Sequence, residues 1–198
     1  TYGIEIYQDQ VDSFRERSNI NTGAVSARPS RFPDGSSMDT VSAYLADDWQ
    51  PSERMDVYGG LRWSRADVEL PPVINGIGVD IAPSDWSGHF GMRYGLSDSV
   101  NLVANYGRGF RAPNVFDLGT FGDRPSNRFN IPNPDLVSET VDTVDLGLKW
   151  SGATVEAELV GYVSKYRDKI TSVLTGEVTD SGRLVTQNQN VTELDLWG

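Results

Sequence analysis

Apolar side chains recur at every second position along most of the chain, and helical spacing is nearly absent. Tyr2, Ile4 and Ile6 share one face of the first run, opposite Gly3, Glu5 and Tyr7. Val41, Ala43, Leu45 and Trp49 share a face of the second, interrupted by Asp47. Val57, Leu61 and Trp63 oppose Tyr58, Gly60, Arg62 and Ser64. Phe90, Met92, Tyr94 and Leu96 oppose His89, Gly91, Arg93 and Gly95, and Leu102, Ala104 and Tyr106 oppose Asn101, Asn105 and Gly107. Val144, Leu146, Leu148 and Trp150 oppose Thr143, Asp145, Gly147 and Lys149. The run 154–166 is mixed, with Ala157, Leu159 and Val163 on one side, and a last run starts near Val191. This pattern predicts seven β-strands and a truncated eighth.

The connections sharpen the picture. Short ones at 50–54, 97–99 and 151–153 alternate with long ones near 13–37, 65–85, 111–138 and 170–190. Tight turns at one end and long loops at the other are the arrangement of an up-and-down barrel crossing a membrane, and runs of about ten residues suit a tilted crossing. Trp49, Trp63, Tyr94, Tyr106 and Trp150 fall near strand ends on the apolar face, as interfacial girdles do, although aromatic residues also favour strands in general. Gly91, Gly95, Gly107 and Gly147 sit on the polar face, where they relieve crowding inside a closed barrel. The expected fold class is therefore all-β, an antiparallel up-and-down transmembrane β-barrel segment.

Composition narrows the function classes. Hydrophobic residues make up 38% of the 198, and no run approaches the ~18 apolar residues of a spanning helix. A net charge of −11 argues against nucleic acid as a partner. The chain has no cysteine and one histidine, His89, which leaves no thiolate or multi-histidine metal site. No Gly-x-Ser-x-Gly pattern surrounds any serine, and the carboxylates read as surface or lumen charge. No catalytic residue, resident metal or cofactor is expected.

Two short phrases carry the functional signal. Phe110-Arg111-Ala112-Pro113 ends a clean strand, because Pro113 lacks the N–H that would continue the ladder. Asn133-Pro134-Asp135-Leu136 is turn chemistry that starts the return strand. Together with 43–63 and 157–170, and in this order, the stretches 102-LVANYGRGFRAP-113 and 131-IPNPDLVSETVDTVDLGLKW-150 resemble the barrel region of TonB-dependent outer-membrane receptors. The resemblance covers most of the chain. It implies a barrel of about 22 strands with a plug domain inside it, of which residues 1–198 form about eight strands, with the plug, the TonB-contacting segment and the C-terminal strands lying outside this piece.

The resemblance further implies a receptor in the outer membrane of a Gram-negative bacterium that takes up a scarce nutrient of the ferric siderophore, haem or cobalamin class. Its partners would be outer-membrane lipid, its own plug domain, the TonB energy-coupling complex reached through the plug, and a small metal chelate or haem-like ligand. Phe110, Pro113, Pro134 and Leu136 read as structural feet of one extracellular loop. Between them, Arg124, Asn127, Arg128, Phe129 and Asn130, with Arg111 at the base, suit an anionic, partly aromatic ligand through charge-assisted hydrogen bonds and stacking. A solvated loop with packed phenylalanines is the competing reading. Haem receptors of this family typically carry a histidine between the two boxes, whereas His89 lies outside that interval. A small, complete porin-like or structural barrel and a soluble glycan-binding sandwich are the rival architectures.

An open arc of such a barrel leaves unpaired strand edges and an apolar face that must meet lipid or detergent. Residues 1–198 produced alone are thus expected to require detergent. A monodisperse soluble monomer in plain buffer by size-exclusion chromatography would contradict the barrel reading.

Overall fold

The computed structural model describes residues 1–74 and 77–198. Eight long strands form one antiparallel sheet: β1 (Tyr2–Val11), β4 (Ser36–Ser52), β5 (Met55–Ile74), β7 (Ser84–Gly95), β8 (Val100–Arg111), β11 (Glu139–Ser151), β12 (Glu156–Val178) and β13 (Leu184–Trp197). The remaining elements among the described residues lie in the connections: the hairpin β2 (Glu16–Ser18) and β3 (Val25–Ala27), the short β6 (Ile77–Ile81), the helix α1 (Val115–Gly119), and the hairpin β9 (Gly122–Arg124) and β10 (Arg128–Ile131). The sheet is an open arc among the described residues, with each long strand beside its sequence neighbour.

Register converts the alternation into two walls, since directly paired residues share a face. Trp49, Val57, Met92, Ala104 and Leu146 form one outward row, and Tyr94, Leu102, Leu148 and Leu159 another. Phe90, Tyr106, Val144, Val163 and Trp197 form a third. These apolar side chains are largely exposed, with no second layer over them among the described residues. The inner wall holds rows such as Gly60, His89, Gly107, Thr143 and Ser164, and Tyr58, Gly91, Asn105, Asp145 and Tyr162. A soluble sandwich would bury its apolar face against another sheet. Here that face is bare and continuous, as a lipid-facing surface must be.

The stagger between strands measures their tilt. The row through Met55, Tyr94 and Leu148 lies progressively farther from successive hairpin turns: Met55 follows its turn directly, Tyr94 is one residue inside its strand end, and Leu148 three. With turns of unequal length taken at their midpoints, the row shifts by about two residues per hairpin. At about 3.3 Å per residue and 4.8 Å per strand this gives a tilt of about 35°, within the range of transmembrane barrels.

A charged collar marks the upper end of the outer wall. Arg167 and the Tyr106 hydroxyl both donate to Asp142, at 2.6 and 2.7 Å, and Arg108 lies 3.6 Å from the same carboxylate. Such groups belong at the headgroup level rather than in hydrocarbon.

Three expectations are corrected. The segments 65–85 and 170–190 are largely strand rather than loop: β5 continues to Ile74 and folds back as β6, and β12 and β13 meet in a tight hairpin. Residues 75 and 76, within the first of these, lie outside the described residues. The last long strand begins at Leu184, not near Val191, and strand lengths run from 10 to 23 residues rather than about ten. The reason is common to all three. Above the membrane a strand meets water or protein on both faces, so its ladder continues after the lipid-driven alternation has stopped. The long connections at 13–37 and 111–138 remain, and all four excursions leave the same end of the sheet, opposite the turns at 53–54, 96–99 and 152–155.

Leu146, in the middle of the apolar band, and Thr143, on the inner wall, separate the two environments. Leu146→Arg is expected to cost about 2–4 kcal/mol of folding stability in lipid, and Thr143→Arg a small fraction of that, in urea unfolding of the vesicle-embedded receptor. Equal costs would contradict the assignment of faces.

Candidate ligand-binding vestibule

The core of the chain sits at the mouth of the arc, not between layers. Ala66, Val68 and Leu70 on the inner face of β5 pack with Val79, Ala112, Val115, Leu118 and Leu136. Val115 and Leu118 come from α1, so the segment after Phe110 turns inward and lies against the raised wall of β4 and β5. Ala112, Pro113 and Leu136 are buried, which makes the two feet of the loop packing elements. Gly119 is required by the contact: a Cβ there would come within 2.5 Å of Leu70 Cδ2 and 2.9 Å of Pro33 Cδ.

Polar contacts fasten the same segment. Asn114 caps α1 by accepting from the Asp117 amide, and the Asp117 carboxylate accepts from the Asn114 amide. Arg111 bridges that carboxylate and Glu139, both at 2.6 Å. Glu139 also accepts from the Ile170 amide at 2.9 Å. Asn188 on β13 donates to the Asp117 carbonyl, and the Asn133 amide donates to the Leu118 carbonyl. Arg111 and Glu139 are the last residue of β8 and the first of β11, above the apolar band. Burial pushes the Glu139 carboxyl up, but hydrogen bonds from Arg111 and the Ile170 amide, with the charges of Arg111 and Lys169, more than offset it and hold the group below its ordinary value. The Arg111 guanidinium is raised, first by its hydrogen bond to Glu139.

Beyond α1 the chain forms the β9–β10 hairpin, and β10 runs parallel to β13 as an added strand. Pairing splits the predicted site residues between two faces. Arg124, Arg128 and Asn130 share one face with the inward Thr186 and Asn188, and line a hollow of about 350 Å³ with Phe116 and Ser172. The Arg124 guanidinium lies 5.4 Å from the Phe116 ring centre. Asn130 is buried and accepts from the Thr186 hydroxyl. Phe129 faces the other way, edge-on to Phe121 with ring centres 5.0 Å apart. It lines a larger cleft of about 650 Å³ with Arg15, Arg17, Arg28 and Arg183. Asn127 occupies the hairpin turn at φ 57° and donates to the Gly182 carbonyl.

The six residues therefore do not form one cluster. Arg111 is held in an ionic lock, Asn127 in a turn, and the other four lie on opposite sides of one hairpin. Arg15, Arg17, Arg28 and Arg183 were missed because they lie in connections remote in sequence from the two boxes. Three arginines within 15–28 of so acidic a chain are the signal that was available. His89 lies on the inner wall beside Tyr58, with ring centres 6.2 Å apart, near the Arg62–Glu5 ion pair at 2.6 Å.

An open arc of tilted strands with a bare outer band, a polar inner wall and inward-folded loops has the make-up of the wall of an outer-membrane β-barrel. The family model "TonB dependent receptor-like, beta-barrel" matches residues 1–198, and the chain belongs to that family. This sets aside the porin-like alternative. Among curated relatives, the hemoglobin-haptoglobin utilization protein B of Neisseria meningitidis serogroup C is 30% identical over 105 residues, covering 53% of this chain and 13% of that protein. The hemin receptor of Yersinia pestis is 26% identical over 217 aligned positions, covering all of this chain and 28% of that protein. The chain thus spans under a third of either relative. Among solved structures, the hemophore receptor HasR of Serratia marcescens, in complex with its hemophore and heme, superposes with a TM-score of 0.77 at 14% identity, over the whole chain and 35% of the receptor. The copper transporter OprC gives 0.78 at 22% identity, over the whole chain and 30% of that protein. At these identities the superpositions establish the fold.

The lock has a defined pH dependence. Because the folded-state value of Glu139 lies below its unfolded value, its contribution is present above about pH 4.3 and is lost as pH falls through the depressed value. The protection factors of the α1 amides, each rate taken relative to its intrinsic exchange rate at the same pH, are expected to be high at neutral pH and to fall below about pH 4, with Glu139→Gln lowering them already at neutral pH. Unchanged protection of α1 in both cases would contradict the lock.

Proposed function

We propose that this chain is the ligand-facing wall of an outer-membrane receptor of a Gram-negative bacterium, which captures a scarce nutrient of the ferric siderophore, haem or cobalamin class and admits it by energised transport. In this reading further strands close the barrel, a plug domain fills the lumen, and the plug carries the link to TonB. The role is binding and passage, with no catalytic step. One observation carries the proposal: the loop between Phe110 and Leu136 folds into the mouth and turns Arg124, Arg128 and Asn130 toward the inner hollow beside Phe116. Guanidinium groups next to an aromatic ring suit an anionic ligand with a flat face.

The relatives' names agree with the class without selecting a member: they include a hemin receptor, a hemoglobin-haptoglobin utilization protein and a ferric enterobactin receptor. A histidine ligand to haem iron would be His89, on the inner wall, or would come from outside this chain. The inner wall suits a plug. Asn105 donates to Asp145 and accepts from Tyr58, and Arg93 donates to Asp56 and Asn101, so the wall offers a hydrogen-bonded polar surface to such a partner.

A strain lacking the receptor is expected to lose growth on one iron or cobalamin source supplied alone. Complementation with Arg124→Ala/Arg128→Ala should leave outer-membrane receptor levels unchanged and lower uptake of that source at least tenfold, about 1.4 kcal/mol of binding. Undiminished growth of the deletion strain on every such source would overturn the reading.

A further inference from the structure

The larger cleft, on the opposite side of the β9–β10 hairpin, is a second site of distinct chemistry. Three excursions converge on it. The segment around β2 and β3 brings Arg15, Glu16, Arg17 and Arg28, the β9–β10 region brings Phe121, Asp123 and Phe129, and the β12–β13 turn brings Arg183. Four guanidiniums thus face two carboxylates, in a chain whose net charge is −11. Asp123 is engaged by Arg183 at 3.4 Å. Among the described residues no carboxylate forms an ion pair with Arg15, Arg17 or Arg28.

Local geometry makes that imbalance costly. The Arg28 amide donates to the Arg15 carbonyl at 2.9 Å, continuing the β2–β3 ladder, so the two arginines stand opposite one another across the hairpin. Like charges in directly opposed positions destabilise a strand pair. The Arg15 guanidinium extends toward β9, where Nη1 would lie 3.8 Å from a Cβ built on Gly122. Beside these cations the Phe121–Phe129 pair supplies an apolar surface. Cations in excess of their counter-charges around such a surface are relieved by an anion that also stacks. A volume of about 650 Å³ fits a small molecule.

We propose that this cleft binds a small ligand carrying two or more oxyanion groups on a flat unsaturated body, such as a catecholate chelate or a porphyrin with its carboxylates. Arg15, Arg17 and Arg28 bind the oxyanions, and Phe121 with Phe129 supports the body. The cleft serves as an outer station, separate from the hollow lined by Arg124 and Arg128. The inference rests on the uptake reading and narrows its ligand to the anionic members of that class.

The test uses the whole receptor in detergent with three ligands: a ferric tris-catecholate, haemin, and an uncharged ferric tris-hydroxamate. Binding is measured by intrinsic fluorescence at low and high salt for wild type, for Arg15→Gln/Arg17→Gln/Arg28→Gln, and for Arg54→Gln in a turn at the opposite end. Heat-modifiable migration in gels confirms that each barrel is folded. Wild type is expected to bind an anionic ligand with an affinity that falls with salt. The triple variant should bind it at least about thirtyfold more weakly, with Arg54→Gln unchanged and any hydroxamate binding unaffected. Wild-type affinity in the triple variant, equal loss for the uncharged chelate, or no binding of either anionic ligand by wild type would overturn the inference. A deletion strain that still loses growth on its nutrient in those cases leaves the uptake reading standing and removes only the anionic cleft.

Discussion

Hydrocarbon offers no hydrogen-bond partner to a peptide group, and that constraint organises this chain. Each backbone N–H and C=O crossing the apolar layer must be matched by a neighbouring strand, so the chain runs back and forth in register, from Tyr2 paired with Leu45 to Val163 paired with Trp197. The same constraint separates the side chains. One face meets lipid and carries Ile4, Leu61, Phe90 and Leu146, while the other carries Arg62, His89, Asn105 and Asp145. The protein has little buried core within the membrane because its apolar side chains face solvent lipid.

What core there is gathers where the constraint ends. Above the membrane the loops must cover apolar surface from water, and α1 does so by laying Val115 and Leu118 on Val68 and Leu70. Arg111, Asp117 and Glu139 then set the direction in which the loop leaves the wall. The following hairpin is fixed to β13 through β10 and to the β12–β13 turn through Asn127. Its two faces consequently open into two different hollows, one lined by Arg124 and Arg128 and the other by Arg15, Arg17, Arg28 and Arg183.

The membrane-crossing strands were legible in the sequence because lipid on one side and polar surroundings on the other impose strict alternation. Phe110–Pro113 and Asn133–Leu136 were legible because proline and asparagine mark where a ladder stops and resumes. The raised parts of β5 and β12 were not legible. Pro71-Pro72 and the polar run after Ile170 look like loop, and only pairing with β6 and β13 makes them strand. The parallel pairing of β10 with β13 joins segments over fifty residues apart with no local signal. For the same reason Arg124 and Phe129 look like one cluster in sequence, although strand geometry turns them apart, and Arg15, Arg17 and Arg28 look unrelated to the residues they join.

If the outer band touches lipid, the long excursions all emerge on the cell surface. The chain contains no cysteine, so single cysteines introduced into it report position against a clean background. Thr22→Cys and Ser181→Cys sit in the long excursions, and Asp98→Cys and Ala153→Cys in the short turns. On intact cells a membrane-impermeant thiol reagent is predicted to label the first pair and to reach the second only after the outer membrane is permeabilised. Labelling of Asp98→Cys or Ala153→Cys on intact cells as readily as Thr22→Cys would contradict the account.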